Sequence, residues 1–334
     1  MTLIIININR IKFSISDIMD KTVNNKKLPK IALGAWAWGN DGTFGHELNI
    51  EQLKPIYDIS IENGLGLWDT AFAYGMGTSE KVLGEFLKDT DSSDFIISTK
   101  FTPQCANPEA ENSVTAMYEN SMKLLNVDAI DIFWIHNPVG APNWTKKLVE
   151  TAKEHDIKMI GVSNHNLAEI KEANEILKDA GLKLGAVQNH YSLLNRSSEY
   201  SGILDYCKEN DIVFFSYMVL EQGALCGKYD TQHPLPEGSD RANAYNGSLD
   251  KIEELNAALA EVAKNHDVEI PQIPIAWAIN KGTLPIVGAT KEHHVTDALK
   301  ASEIVLTDEE IKQIEEVASK LEVDTIRFWE KEMK

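Results

Sequence analysis

The chain has 334 residues, 43% hydrophobic and 25% charged, with a formal net charge of −19 from 32 basic and 51 acidic residues. This is a soluble globular composition with ample core material, and its acidic excess argues against nucleic acid or an anionic membrane surface as partner, since both need basic patches. Cys105, Cys207 and Cys226 form no C-x-x-C pair, which fits reduced thiols in a cytoplasm, and no apolar run approaches the ~18 residues a membrane span needs.

Residues 1–18 carry a short apolar burst with Arg10 and Lys12 but no small-residue cleavage site, so they read as an extension outside the core, with Met19 an alternative start. Residues 23–28 predict a small hairpin about Asn24-Asn25. Apolar runs of strand length then alternate with helical stretches. Strands are predicted at 31–38, 65–68, 95–100, 130–135, 159–162, 185–188, 212–215 and 284–287. Helices are predicted at 50–62, at 79–88 with Ser79 as N-cap, and at 108–125 opened by Pro108. Others follow at 143–155, 167–180, 203–209, within 249–280, and at 294–301. A further C-terminal helix over 307–321 begins with a Thr307/Glu310 capping box. Eight continuously apolar strands, helices between them and no dividing linker predict a single α/β domain, a (β/α)8 TIM barrel over 19–325, with 326–334 a tail. A doubly wound open sheet is the alternative, but no G-x-G-x-x-G follows an early strand.

Chemistry concentrates where strands end. The second strand breaks off into Trp68-Asp69-Thr70-Ala71-Phe72-Ala73-Tyr74-Gly75, the third ends at Lys100 and the fourth at His136. Each residue alone has a bland explanation: a strand-end lysine snorkels to solvent, and a lone histidine is a loop residue. On adjacent barrel strands the set converges on one face, where such barrels place their chemistry. A phenol titrates near ~10 and gives up its proton reluctantly; a neighbouring ammonium favours the phenolate and is expected to lower the Tyr74 pKa. Asp69 is then the partner of Lys100, and a neutral His136 orients a carbonyl oxygen. A proton delivered to a carbonyl oxygen calls for a hydride at the carbon, which a nicotinamide supplies. Further on, Ser163, Asn164 and Gln188 suit a carboxamide, although turn chemistry alone explains Ser163-Asn164. Tyr217 offers a flat face, Gln222-Gly223 and Gly227-Lys228 form a loop able to approach phosphates, and Gly288-Ala289-Thr290-Lys291 precedes a helix N-terminus suited to phosphate.

Taken together in this order and spacing, Trp68-Asp69-Thr70-Ala71 with Tyr74-Gly75, Ser98-Thr99-Lys100, Ile135-His136, Gly161-Val162-Ser163-Asn164, Val187-Gln188 and Gln222-Gly223 to Gly227-Lys228-Tyr229 resemble the aldo-keto reductase superfamily, from about residue 28 to 321. The resemblance implies a catalytic tetrad of Asp69, Tyr74, Lys100 and His136, with Tyr74 as proton donor to a small-molecule aldehyde or ketone. It implies a nicotinamide held by Ser163, Asn164 and Gln188 and stacked on Tyr217, with the cofactor extended across the mouth past Leu220, Gln222, Gly223, Lys228, Gly288, Thr290, Lys291, His294 and Asp297. NADPH is the default, with NADH possible. The chain departs from the family pattern in two places. Met218 stands where a serine commonly meets the pyrophosphate, and His294, Asp297 and Ala298 stand where an arginine or glutamine, an acid and an asparagine surround the adenosine. A 2′-phosphate would therefore rest on Lys291, Thr290 and a weakly charged His294.

Two other classes compete with a carbonyl reductase. A nicotinamide-binding regulatory subunit of a larger assembly could retain the same tetrad. A barrel metal hydrolase would need a His-x-His at the first strand end, where Ala35-Trp36-Ala37-Trp38 stands instead, and no metal site is expected. Trp36, Trp38, Phe72 and Trp144 are candidates to line an apolar substrate pocket, with packing an equal explanation for the last two. The loop over 230–247 is expected to overhang the site.

Overall fold

The computed structural model describes residues 21–327, 329–331 and 333; the expected extension at 1–18 and the start at Met19 lie outside them. A two-stranded hairpin, β1 (Thr22–Val23) and β2 (Lys26–Lys27), turns through Asn24 and Asn25 at positive φ. Eight parallel strands then close a barrel: β3 (Ala32–Gly34), β4 (Leu67–Asp69), β5 (Ile96–Phe101), β6 (Ile132–Ile135), β7 (Met159–Ser163), β8 (Leu184–His190), β9 (Val213–Tyr217) and β10 (Leu284–Gly288), which pairs back onto β3. The helices outside are α1 (Ile50–Glu62), α2 (Thr78–Leu87), α3 (Ser113–Leu125), α4 (Asn143–His155), α5 (Leu167–Asp179), the short α6 (Ser197–Tyr200), α7 (Ile203–Glu209), α8 (Asp240–Tyr245), α9 (Leu249–Asn265), α10 (Gln272–Asn280), α11 (Glu292–Glu303) and α12 (Asp308–Ala318).

The period of two along each strand sorts side chains into two separate cores. Leu67, Ile96, Ile132, Trp134, Ala186, Val213, Phe215 and Leu284 point inward and fill the barrel, closed below by Val23 and Leu28 of the hairpin. Their neighbours Trp68, Ile97, Phe133, Ile135, Val187 and Phe214 point outward into the layer beneath the helices. Trp134 takes so much of the interior that only glycine fits opposite: a Cβ on Gly161 would stand 2.1 Å from the Trp134 ring.

Local chemistry corrects two helix details. Asn112, not Pro108, opens α3, because its side chain accepts from the amides of Val114 and Thr115 and leaves Pro108 in the preceding loop. Ser79 does not cap α2; its buried hydroxyl bonds Ala35 O at 2.7 Å and Thr70 Oγ1 at 2.8 Å. The helices expected within 249–280 are α9 and α10. The Thr307/Glu310 capping box opens α12 as expected.

Candidate active site

Inward parity carried to the C-terminal mouth places one set of side chains in a ring. Asp69 continues the inward row of Leu67, Lys100 that of Ile96 and Ser98, and His136 that of Ile132 and Trp134. Ser163, Gln188, His190 and Tyr217 occupy the inward rows of β7, β8 and β9. The mouth is thus lined with polar and aromatic groups above an apolar plug.

Asp69 is 3% exposed and Lys100 is fully buried. Lys100 Nζ donates to Asp69 Oδ2 at 2.5 Å, to Thr70 O at 2.8 Å and to the Tyr74 hydroxyl at 3.2 Å. Asp69 Oδ1 also accepts from Ser98 Oγ at 2.7 Å and Gln188 Nε2 at 3.2 Å, and Trp134 Nε1 donates to Ser98 Oγ at 2.7 Å. Burial works against the Lys100 charge, but the Asp69 carboxylate and the Tyr74 phenol outweigh it and hold the ammonium above its ordinary pKa. At Tyr74 burial outweighs the pull of Lys100, so its pKa lies above the ordinary value and not below it, as the ammonium alone had led us to expect. The Tyr74 loop is fixed by Gly75, at φ +65, where a Cβ would stand 2.1 Å from Gly39 O. Burial, then Lys100, lowers His136 to about 3, so it is neutral; its Nδ1 lies 2.8 Å from Thr102 Oγ1.

Beside this group, Asn164 Nδ2 donates to His136 O at 2.9 Å and to Ser163 Oγ at 3.2 Å. The Tyr217 ring stacks on His190, with centroids 5.6 Å apart. Beyond β9 the chain turns through Met218, Glu221, Gln222 and Gly223, all at positive φ, with Leu220 O accepting from the Gly223 and Leu225 amides. Arg241 Nη1 reaches Gln222 O at 3.1 Å from α8, which interrupts the stretch expected as a loop over 230–247. Gln222 Nε2 and Arg241 Nε are buried without a partner among the described residues, leaving donors suited to phosphate oxygens. Lys228 lies over the Tyr229 ring. Past β10, His294 Nδ1 accepts from the Thr290 amide at 3.1 Å, and burial, with His293 and Lys291, lowers it to about 4. His294 is therefore neutral rather than weakly charged. Asp297 is engaged by Gln272 Nε2 at 2.8 Å. Gly288, at the end of β10, faces open space.

Of the tryptophans proposed for a pocket, Trp38 belongs to the core: it is fully buried, packs on Trp68 and donates to Ala289 O. Trp144 packs on Phe101, and both Trp144 and Phe72 lie half-buried against the outer core layer. Trp36 remains at the mouth, stacked on Tyr74 at 5.6 Å and 18° and donating to Asp41 Oδ2.

Sequence reasoning missed the C-terminal segment and Arg241. Trp329 packs edge-on against Trp36 at 5.4 Å, and Glu330 Oε1 lies 2.6 Å from the Tyr217 hydroxyl. Glu330 Oε2 lies 3.0 Å from His190 Nδ1, whose Nε2 in turn meets Glu221 Oε1 at 2.8 Å. A Trp-Glu pair in a short charged stretch carries no periodicity, so nothing in the sequence marks it. Away from the mouth, Glu119, Glu154 and His155 come close enough to share an ion, but on the outer helices α3 and α4.

Comparison with known proteins agrees with this geometry. The sequence model of the Aldo/keto reductase family matches residues 30–319. The chloroplastic pyridoxal reductase of Arabidopsis thaliana is 32% identical over 304 residues, covering 86% of this chain and 82% of that protein. The aldo-keto reductase yakc [NADP(+)] of Schizosaccharomyces pombe is 26% identical over 333 residues, covering 93% and 94%. A thermostable aldo-keto reductase solved with the inhibitor epalrestat superimposes with a TM-score of 0.71 at 26% identity, over 89% of this chain and 98% of that one. A barrel of this topology, this ring of strand-end residues and a family match over most of the sequence lead to one conclusion: the chain belongs to the aldo/keto reductase family.

Proposed function

We propose that the protein is an NAD(P)H-dependent reductase of small aldehydes or ketones, with Tyr74 as proton donor. The single observation that carries the reading is the Asp69–Lys100–Tyr74 chain, in which a buried ammonium bridges a carboxylate and a phenol at 2.5 and 3.2 Å. Asp69 holds Lys100 charged. Lys100 stabilises the phenolate that forms when Tyr74 gives its proton to a carbonyl oxygen. With the Thr102 hydroxyl donating into Nδ1, neutral His136 presents Nε2–H to that same oxygen and orients it. Trp36, stacked on Tyr74, forms an apolar wall for the carbonyl substituent.

The residues present fit a dinucleotide. Ser163, Asn164 and Gln188 would hold the carboxamide, Tyr217 the ring face, the unpartnered donors of Gln222 and Arg241 the phosphates, and Lys228 and Lys291 the adenosine end, near Leu220, Gly223, Gly288, Thr290 and Asp297. When bound, the nicotinamide supplies the hydride. The cofactor named for the yeast relative supports NADPH, and the neutral His294 leaves Lys291 to read a 2′-phosphate.

Loss of NADPH absorbance with an aldehyde panel that includes pyridoxal tests the reading, because the Arabidopsis relative is a pyridoxal reductase. Turnover of at least one aldehyde is expected. Tight NADPH binding with no turnover across the panel would instead favour a regulatory nicotinamide-binding role.

A further inference from the structure

The C-terminal segment places Trp329 and Glu330 inside the mouth, on the side that the proposed function gives to the nicotinamide. We propose that it is a strap that occupies this half of the site in the cofactor-free protein, with Glu330 and Trp329 held on the contacts a bound cofactor would take, so that binding requires the strap to release. The inference rests on the proposed function, because it assigns the occupied space to a nicotinamide.

Four residues anchor the strap. Glu330 bridges the Tyr217 hydroxyl and His190. Trp329 lies against Trp36, which itself lies on Tyr74. Lys331 pairs with Glu169 on α5, and Met333 is buried beside Asn189. The strap thus reaches from Trp36, against the proposed proton donor, to Tyr217, the ring assigned to stack on the nicotinamide.

The docking is internally compromised, as a releasable element should be. Tyr217 has one hydroxyl proton and two acceptors, Asn164 Oδ1 at 2.5 Å and Glu330 Oε1 at 2.6 Å. One of the two is left without it. Arg327, at the base of the strap, lies over the Tyr245 ring at 4.4 Å, yet its Nε and Nη2 are buried without a hydrogen-bond partner among the described residues. Unpaired buried donors are costly, so the docked strap forfeits part of what its aromatic and ionic contacts gain. Release takes Glu330 off the Tyr217 hydroxyl, ends the competition for its proton and uncovers the ring assigned to the nicotinamide.

A strap docked most of the time lowers apparent affinity by the fraction of molecules that are open. The test compares the full chain, the Trp329→Ala/Glu330→Gln double variant, and a chain ending at residue 326. NADPH binding is measured by calorimetry, and backbone amide exchange of the strap is followed in the full chain. Both variants should bind NADPH about tenfold more tightly, the gain expected when a strap docked nine-tenths of the time is removed. Strap amides in the full chain should be protected without cofactor and exchange faster when it is saturating. Equal affinities in all three proteins with unchanged strap protection would overturn the proposal, and so would weaker binding in both variants, which would make the strap a wall of the cofactor site. If none of the three binds NADPH or NADH, the proposed function itself fails.

Discussion

The ammonium of Lys100 stands 3.2 Å from the phenol oxygen of Tyr74, with Lys100 fully buried and already paired to Asp69. A charge held this close to a hydroxyl does little for the resting phenol, which burial keeps protonated. Its value appears only as negative charge develops on the oxygen, which is what a proton donor needs.

Tyr74→Phe removes that proton and leaves the ring on Trp36 in place. Carbonyl reduction should fall by at least about a hundredfold, the lower end for loss of a general acid, while NADPH affinity measured by calorimetry stays within about twofold. Unchanged turnover would remove Tyr74 from the role.

Asp69→Asn leaves Lys100 charged, buried and without its counter-ion. Breaking one side of a buried ion pair costs on the order of 3–5 kcal/mol. The midpoint of urea unfolding should fall accordingly. A loss below about 1 kcal/mol would mean that solvent reaches Lys100, contrary to its burial.

His190 lies between Glu221 and Glu330. Burial depresses its charge, but the two carboxylates outweigh that and raise it from 6.5 to about 10. A folded-state pKa above the unfolded one gives stability that is complete below pH 6.5 and is lost as pH rises through about 10. Stability of the wild type relative to His190→Asn should therefore shrink steadily across that window. A difference independent of pH between 6.5 and 10 would show that His190 is neutral in the folded protein.

The adenosine end gives a cofactor prediction. With His294 lowered to about 4, Lys291, at the start of the helix that begins at Glu292, is the cation we propose for a 2′-phosphate. Lys291→Ala should weaken NADPH about tenfold, as loss of a charged hydrogen bond does, and leave NADH almost unaffected. Equal losses for the two cofactors would place 2′-phosphate recognition elsewhere.

Much of this was legible in the sequence because a barrel strand carries two signals at once. Continuous burial marks the strand, and alternation decides which residue looks inward. Asp69, Lys100 and His136 could be found because each closes an apolar run at its inward parity. The sign of the Tyr74 shift could not, since it is set by how much water the folded mouth removes, and sequence carries the ammonium but not the desolvation. Trp38 looked like a pocket residue because it lies two positions from Trp36; a single turn of 3-10 helix sends one ring to the mouth and the other into the core. The strap was invisible for a different reason. Its anchors are single long-range contacts from Trp329 and Glu330, with no repeat to announce them.

The inward tryptophan of β6 has a consequence for anyone altering this barrel. Trp134 is at once the largest piece of the apolar plug and the donor that fixes Ser98, which in turn fixes Asp69. Foundation and reactive centre are therefore one hydrogen-bonded column. A substitution chosen only to repack the plug, at Trp134 or at the Gly161 that makes room for it, also redirects the carboxylate of Asp69 through Ser98. Thermostability screens on this protein should thus be run with an activity readout, because gains below the mouth and losses at it will come from the same atoms.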